Sequence, residues 1–555
     1  LPKRTLFTRD ALGRLTAKRH VLASADGRLA DTEAPSHYTY DRLGRMRQAL
    51  NGAARVGFAY DALSQLTEEV QQHLAHPQAA PGQGQPPQPL IWRHGYDALG
   101  QRSHSTLPSG KQLQWLSYGS GHVHQITVDG HVISDIERDA LHRETSRTQG
   151  ALQSQYGFDP MGRLALHKIK RLQAHAEQRA QSLWDQGRPP QAPALPALPG
   201  GQRIARQFAY DLAGNLRQTQ DSLRGLSQYR YDPLGRILGA VKGQPAQPGS
   251  SVARTETFAF DPAGNILNPN RGQMGPGTEA GTQEVSHAIS AGGVSQASTP
   301  SNRIAVYEDL RFAYDVHGNI TERRIGWHTV QKLSYSAEHQ LQSITVTRLH
   351  DKPQLRAVGQ EPQDVAATTQ TTHYRYDALG RRIDKTGEFG STRFGWDGDL
   401  LTLEIRGSKQ SEYLYEPDSF VPLAKLESQA SVQKPQDKAI NPKKIASLFK
   451  TTPSDSEQIE APAHASQAQA AIETEVETTV AKAKDFSVFY YQCDQIGAPQ
   501  ELTDEQGNIV WAAEYKVWGR TSTLEVSATG TDNLDPHDLR SEEHTSELQS
   551  PMFIS

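Results

Sequence analysis

The stretch YRYDALGRR, residues 374–382, contains the pattern that decides the fold. Two aromatic residues flank one variable residue, and Asp, two further residues, Gly and then Arg or Asn follow. This pattern recurs along almost the whole chain. Clear copies begin at Tyr38, Tyr156, Phe208, Tyr229, Phe258 and Phe312, and degraded copies begin at Phe7, Phe58, His94, Asp135 and Leu333. Such regularity indicates an array of one supersecondary unit.

Each copy predicts a β-hairpin. Tyr374 and Tyr376 are two residues apart, so they lie on the same face of a strand. Asp377 opens a turn because its carboxylate accepts a backbone N–H two residues on, and Gly380 suits the left-handed position that makes a bulge before the return strand. The residues predicted to have this structural role are Tyr38, Tyr40, Asp41 and Gly44; Tyr156, Asp159 and Gly162; Tyr229, Tyr231, Asp232 and Gly235; and Tyr374, Tyr376, Asp377 and Gly380.

The spacing of the copies predicts how the hairpins assemble. Uninterrupted neighbours are 20 or 21 residues apart, as from Tyr38 to Phe58 and from Phe208 to Tyr229. That length accommodates two strands of roughly eight residues and two short turns. One hairpin alone is barely stable in water, so several must pair side by side. We therefore expect an all-β fold, a long antiparallel sheet that curls or closes and so leaves no flat exposed edge.

Composition excludes several classes of protein. The hydrophobic fraction is 36% and the net charge is −4, with acidic and basic residues interspersed. No basic stripe indicates a nucleic-acid partner, and no apolar run is long enough to span a membrane. Cys493 is the one cysteine, so no intramolecular disulfide is possible, as is typical of proteins that fold in a reducing compartment.

Shifts in composition divide the chain into five parts. Residues 1–426 form the repeat region, and residues 427–484, rich in Lys, Ala, Gln and Glu, are expected to be a disordered or loosely helical insertion. Residues 485–520 form a short ordered block, and residues 521–540 a linker. Residues 541–555 resemble the translation of a sequencing adapter, so they are excluded from the fold prediction. Within the first part, residues 168–186 favour a helix, either capping the sheet or solvated on a long loop.

Three blocks of sequence make the chain resemble one family more specifically than the repeats do. The blocks are LPSGKQLQWLSYGSGHVHQITVDG at 107–130, TRFGWDGDLLTLE at 392–404 with YLYEPDSFVPLAKL at 413–426, and YYQCDQIGAPQELTDEQGNIVWAAEYKVWG at 490–519. They are similar to segments of the bacterial Rhs (rearrangement hot spot) proteins, whose tyrosine–aspartate repeats teneurins share. The third block resembles the family's signature segment.

The resemblance implies a fold and a function. In the Rhs family the strands spiral into a hollow shell around a C-terminal toxin domain, and a boundary with autoproteolytic aspartates precedes the toxin. Asp535-Pro536 is followed by His537 and lacks that pattern, so no catalytic role is transferred to it. The resemblance further implies a non-catalytic container without cofactors, made in the cytoplasm and then secreted or associated with the cell surface. Its implied partners are its own toxin domain, a type VI secretion spike and an immunity protein.

Several residues have both a structural and a functional interpretation. The repeat aspartates could ligate Ca²⁺, but their place before x-x-Gly favours turn formation. His122 and His124 share a strand face as a metal pair would, yet no third ligand has suggestive spacing, which favours ordinary solvent-facing or lumen-facing histidines. Cys493 is expected to be a partly buried structural thiol. The turn arginines Arg45, Arg163, Arg236 and Arg381 are expected to form rim salt bridges of small value.

The aromatic ladder leaves a second function open. Exposed tyrosines on a concave sheet stack against sugars, and this would make the chain a surface-exposed or wall-associated carbohydrate-binding or adhesion protein. The alternative is that the ladder consists of cross-strand packing pairs. No constellation of residues indicates an enzyme within residues 1–520.

Overall fold

A computed structural model describes residues 3–23, 29–74, 87–119, 121–172, 204–244, 254–267, 302–349, 366–430, 483–519 and 521–526. It divides into two compact units, of which the first comprises residues 1–135, 374–419 and 423–488 and the second residues 136–373, 420–422 and 489–555. In the described part of the chain, every regular element with assigned bounds is a β-strand. The predicted fold class, an all-β protein of long antiparallel sheets, is confirmed.

The strands of the first half of the chain are short and separated by tight turns. They are β1 (Lys3–Arg9), β2 (Leu15–Ala23), β3 (Leu29–Asp31), β4 (Ser36–Tyr40), β5 (Met46–Leu50), β6 (Ala54–Tyr60), β7 (Leu66–His73), β8 (Leu90–Tyr96), β9 (Arg102–Thr106), β10 (Gln112–Tyr118), β11 (His122–Val128), β12 (His131–Arg138), β13 (Glu144–Gln149), β14 (Leu152–Phe158), β15 (Leu164–Arg171), β16 (Ile204–Tyr210), β17 (Leu216–Asp221), β18 (Gly225–Tyr231), β19 (Ile237–Gln244) and β20 (Arg254–Thr257).

The same alternation of strand and turn continues in the second half. Its strands are β21 (Ala259–Phe260), β22 (Ile266–Leu267), β23 (Val306–Tyr307), β24 (Leu310–Tyr314), β25 (Ile320–Ile325), β26 (Thr329–Tyr335), β27 (Leu341–Leu349), β28 (Ala366–Tyr376), β29 (Arg382–Gly387), β30 (Gly390–Asp397), β31 (Leu400–Arg406), β32 (Lys409–Tyr415), β33 (Pro422–Gln429), β34 (Ser487–Cys493), β35 (Pro499–Thr503), β36 (Ile509–Tyr515) and β37 (Thr521–Val526).

Strands that follow each other in sequence pair antiparallel. In the first unit, β4 to β9 form an uninterrupted ladder, and β29 to β32 form another. In the second unit, β13 to β20 and β23 to β27 pair in the same way. Successive hairpins therefore lie side by side, as the repeat spacing predicts.

Each unit has small apolar clusters between its strands. In the first, Tyr38, Ala49 and Ala378 are buried together, and Val70 packs on Ile91. In the second, Leu152, Ile169 and Ile204 pack with the half-buried Ile509. Ala378 and Ile509 come from distant parts of the chain, so their clusters fix which hairpins lie against each other within a unit.

Three of the expected segment boundaries shift in the structure. Residues 168–171, placed in the expected helix, are the end of β15, where Ile169 is 2% exposed and belongs to the apolar cluster. β33 runs to Gln429, and β37 occupies part of the expected linker. β15 is extended by its pairing with β14, in which Arg171 lies opposite Leu152, and β37 is formed by its pairing with β36. The rest of the expected helix, most of the 427–484 insertion and residues 541–555 lie outside the described residues.

Candidate functional site

The repeat turn has one geometry, which the first complete copy illustrates. Asp41 Oδ1 accepts hydrogen bonds from the backbone N–H groups of Leu43 and Arg45, both at 2.9 Å, and Asp41 Oδ2 accepts one from Arg45 Nε at 2.6 Å. Gly44 N donates to Asp41 O at 3.1 Å with a φ of 86°, a conformation that favours glycine. Desolvation raises the pKa of Asp41, but the hydrogen bonds from Arg45 outweigh it and hold that pKa below its ordinary value.

The other predicted repeat residues occupy equivalent positions. Oδ1 of Asp159, Asp232 and Asp377 accepts the N–H two residues on at 2.9 Å in each case. Gly162, Gly235 and Gly380 all have positive φ, at 81°, 80° and 88°. At the turns of Asp41, Asp159 and Asp232 the ladder shifts register by one residue, as between Thr39 and Tyr40. The structure therefore places these residues at the turns and not in a common pocket.

Each turn arginine also contacts the next hairpin. The Arg45 guanidinium lies 4.8 Å from the ring centroid of Tyr60, and its Nη1 donates to the carbonyl of Asp61 at 2.9 Å. In return, the Tyr60 hydroxyl donates to the carbonyl of Met46 at 3.0 Å. We call this three-part contact the hairpin staple. It explains why aromatic, Asp and Arg recur together, because one repeat supplies the cation and the next supplies the ring.

Parts of the hairpin staple recur along the chain, and all three contacts are present at Arg14–Tyr40, Arg163–Tyr210 and Arg303–Tyr314. A guanidinium covers an aromatic ring of a neighbouring hairpin in the pairs Arg14–Tyr40, Arg143–Phe158, Arg163–Tyr210, Arg236–Phe260 and Arg303–Tyr314. Tyrosine hydroxyls donate backward to a carbonyl at Tyr40, Tyr96, Tyr210, Tyr231, Tyr314 and Tyr415. The second aromatic of these repeats is thus engaged on its face, at its hydroxyl, or both.

The first aromatic of the repeat is directed into protein contacts instead. Tyr38 is 7% exposed, and its hydroxyl donates to Ala378 O at 2.8 Å. Tyr156 stacks on His167 at 4.7 Å, and Arg382 lies over Tyr374 at 5.6 Å. Burial raises the pKa of Tyr229 to about 12. These contacts favour the packing interpretation of the ladder over a free stacking platform.

One repeat turn of the first unit lies deep in the protein, unlike the others. Arg381 is 7% exposed and binds Asp377 Oδ2 at 2.8 Å and Glu69 Oε1 at 2.9 Å, and both carboxylates are 0% exposed. Burial raises the pKa of Glu69 despite the attraction of Arg381. The expectation of a rim salt bridge is therefore wrong for Arg381. The corresponding side chains of Arg45, Arg163 and Arg236 are 23%, 32% and 34% exposed, as a rim position requires.

A second buried ionic cluster joins β35 to the repeats of the second unit. Glu501, on β35, is 0% exposed and accepts hydrogen bonds from Arg206 on β16 and from Arg224. Arg206 Nε also binds Asp221 Oδ2 at 2.9 Å. Burial lowers the pKa of the neighbouring His167 to about 3, and the adjacent Arg206 adds to this effect. We call Arg206, Asp221, Arg224 and Glu501 the charge clamp.

Sequence reasoning missed both ionic clusters. Glu69, Gln71 and His73 lie on one face of β7 and are all at most 2% exposed, so this polar face of the strand points into the interior. The alternating pattern LTEEVQQH was the available signal, but period-2 alternation does not say which of two polar-containing faces is buried. Their partners are some 300 residues away in the chain, beyond the reach of any local pattern.

The remaining candidate residues have ordinary surroundings. His122 and His124 each lie 5.9 Å from the ring of Tyr118, and no cluster of three His, Cys, Asp or Glu able to hold a metal occurs among the described residues. Cys493 is half-buried, with its Sγ 3.6 Å from Pro422 O. Over the same described ranges, no helix has the length and hydrophobicity needed to cross a membrane.

Comparison with known proteins extends these observations. The RHS protein family matches residues 488–525, which contain Glu501 and strands β35 and β36. The double-stranded DNA deaminase toxin A of Burkholderia cenocepacia is 31% identical over 440 residues, covering 77% of this chain and 23% of that protein. Toxin protein Tse5 of Pseudomonas aeruginosa is 26% identical over 518 residues, covering 89% of this chain and 33% of that protein. The chain therefore spans a third or less of each relative.

Solved structures share the fold at low sequence identity. The crystal structure of TcdB2-TccC3-Cdc42 superposes with a TM-score of 0.55 at 14% identity, over 94% of this chain and 24% of that one. A Photorhabdus luminescens Tc holotoxin pore gives a TM-score of 0.57 at 15% identity, over 94% and 23%.

The tyrosine–aspartate turns of this chain and the contacts between its successive hairpins are those of an all-β repeat protein. Within that class, the chain matches the RHS protein family at residues 488–525 and is similar to the two toxins over most of its own length.

Proposed function

We propose that the chain is the non-catalytic β-shell of an Rhs polymorphic toxin, which encloses a C-terminal toxin domain for delivery in interbacterial competition. The two similar proteins are both named as toxins, and each is aligned over a third or less of its own length. In this proposal the activity belongs to the part of such a protein that this chain does not match.

The observation that carries the proposal is the recurring hairpin staple. A container wall needs every strand pair attached to the next, and the staple attaches successive hairpins through a stacked cation and two backbone carbonyls. Each aromatic pairing of this kind contributes roughly 0.5–1 kcal/mol beyond the strand ladder itself. Repetition of small local contacts yields a wall that no single surface mutation opens.

The proposed partners follow from this role. The first is the protein's own C-terminal toxin domain, held inside the wall. The others are a type VI secretion spike that delivers the assembly and an immunity protein that protects the producing cell. The protein would be cytoplasmic before export and then secreted or associated with the cell surface. A carbohydrate-binding role has less support, because guanidinium groups cover the faces of the ladder rings at several repeats.

Protease protection tests the proposal. The gene is cloned through its natural stop codon, and trypsin digestion of the downstream domain is followed by mass spectrometry in the full protein and in the same domain expressed alone. We expect the enclosed domain to survive at least an order of magnitude longer than the free domain. Equal digestion rates in both settings would overturn the container role.

A further inference from the structure

The strands β35 and β36, with their turn Asp504–Asn508, form a hairpin within the RHS-matched segment, which we call the terminal hairpin. One end of this hairpin contacts the repeats through its turn. Ala151 N donates to Glu505 O at 2.9 Å, and the half-buried Ile509 packs on the cluster containing Leu152. This attachment is made by a backbone hydrogen bond and apolar burial, so it does not depend on charge.

The strand portion is attached through the charge clamp and, at the end of β36, through Lys242 of β19, whose Nζ donates to Tyr515 O. Besides binding Glu501, Arg224 donates from Nη2 to the carbonyls of Gln500 at 3.1 Å and Ala513 at 3.0 Å. β35 and β36 pair with each other directly, and the one guanidinium of Arg224 binds both of them to the repeats. Arg206 adds a 3.5 Å hydrogen bond to Cys493 O, at the end of the preceding strand.

The charge clamp contains two guanidinium groups and two carboxylates, so the formal charges of its four side chains cancel. The side chains of Arg206, Asp221 and Glu501 are 2%, 8% and 0% exposed, so water screens this balance little. His167 beside Arg206 is held neutral by burial and offers no compensating charge. Removal of the Glu501 charge leaves Arg206 and Arg224 to share the carboxylate of Asp221 in a desolvated site, which is unfavourable.

We propose that Glu501 is the release point of the terminal hairpin: neutralising this one carboxylate separates β35 and β36 from the repeats while the repeat hairpins stay folded. The repeats keep their own strand ladders and staples, which involve no residue of the clamp's β35 side. The charge clamp would thus make the terminal hairpin a strap that opens separately from the repeats. This inference holds whether or not the chain encloses a toxin.

Hydrogen exchange followed by mass spectrometry tests the strap. In Glu501→Gln, exchange in peptides covering 499–515 should accelerate on the order of 100-fold, the loss expected when one partner of a buried ion pair is removed. Peptides covering 216–244 in the repeats should change little. The matched control is Glu505→Gln, which removes a negative charge from the turn of the same hairpin and should leave exchange in 499–515 close to that of the unmodified protein.

A compensating variant separates charge from packing. Glu501→Gln combined with Arg206→Gln leaves Arg224 paired with Asp221 and keeps the two carbonyl contacts of Arg224, so exchange in 499–515 should be slower than in Glu501→Gln alone. If Glu501→Gln does not accumulate as folded protein, Arg224→Gln alone should accelerate exchange in 499–515 selectively, because it removes both carbonyl contacts. Equal acceleration in 216–244, no acceleration in 499–515, or no recovery in the double variant would each overturn the proposal.

Discussion

Replacement of Arg381 by methionine tests how much burial increases the contribution of one repeat turn to the stability of the fold. The guanidinium binds Asp377 at 2.8 Å, Glu69 at 2.9 Å and the carbonyl of Gly398 at 2.8 Å. Methionine keeps much of the apolar stem but leaves two fully buried carboxylates without a counter-charge. Breaking a buried pair in this way costs about 3–5 kcal/mol.

Arg236→Met is the matched control, because Arg236 occupies the same position of another repeat turn. It binds Asp232 at 2.7 Å with its own side chain 34% exposed. An exposed pair contributes about 0–1 kcal/mol, and the stacking of Arg236 on Phe260 at 4.9 Å adds about 0.5–1 kcal/mol. The same substitution at the same motif position should therefore cost roughly a third as much.

Native-state hydrogen exchange measures both costs locally, which suits a large chain that need not unfold in one step. Peptides covering 66–73 and 382–397 should lose on the order of 100-fold or more of their protection in Arg381→Met, since each factor of ten corresponds to about 1.4 kcal/mol. Peptides covering 225–244 should lose about tenfold or less in Arg236→Met. Addition of Glu69→Gln to Arg381→Met should restore part of the protection. Equal losses in the two single variants would refute the burial argument.

Substitutions at three further positions probe the packing of the repeats. His167→Phe should stabilise the protein by about 1–3 kcal/mol in urea titrations, because both ring nitrogens of His167 are buried without a hydrogen-bond partner. This gain should increase as the pH falls from 7.5 to 5. Burial holds the pKa of His167 in the folded protein at about 3, so over this range only the unfolded chain of the unmodified protein takes up a proton, and the unmodified protein loses stability that the variant keeps. A gain that does not change with pH would contradict this. His142→Gly should raise stability by about 0.5–1 kcal/mol, because His142 has a φ of 60°, whereas His142→Ala should give no gain. Tyr210→Phe should lower the melting temperature through the loss of about 1 kcal/mol from the hydrogen bond to Leu164 O at 2.9 Å, and an unchanged melting temperature would show that this bond contributes nothing.

The turns and the pairing of neighbouring strands could be predicted, because the interactions that form them involve residues close together in sequence. Asp377 and Gly380 belong to one turn, and the hydrogen bonds that form this turn span at most four residues. Strand pairing follows from the same signal, since a tight turn leaves its two flanking strands antiparallel. The spacing of 20 or 21 residues between neighbouring copies then predicts that the hairpins lie side by side.

The ionic clusters were not predictable because they depend on which hairpins face each other. Glu69 and Glu501 look like the exposed carboxylates of ordinary strands, and their arginine partners look like ordinary turn or strand residues. Only folding brings Arg381 within 2.9 Å of Glu69, across 312 residues of sequence. A sequence pattern shows that a strand has two faces, but not which distant strand covers one of them.

Degraded copies of the repeat show how pairing with neighbouring hairpins supports a weak turn. Ser64, His142 and His339 stand where intact copies have glycine, and they still adopt φ values of 69°, 60° and 64°. Each of these conformations costs a non-glycine residue on the order of 1 kcal/mol, so the isolated motif would form the turn poorly. Pairing with neighbouring hairpins must offset that cost, as for Ser64, whose Oγ accepts a hydrogen bond from Arg45 at 3.2 Å. A strong copy of the repeat therefore stabilises the weak copy beside it, and loss of Gly at one turn does not interrupt the sheet.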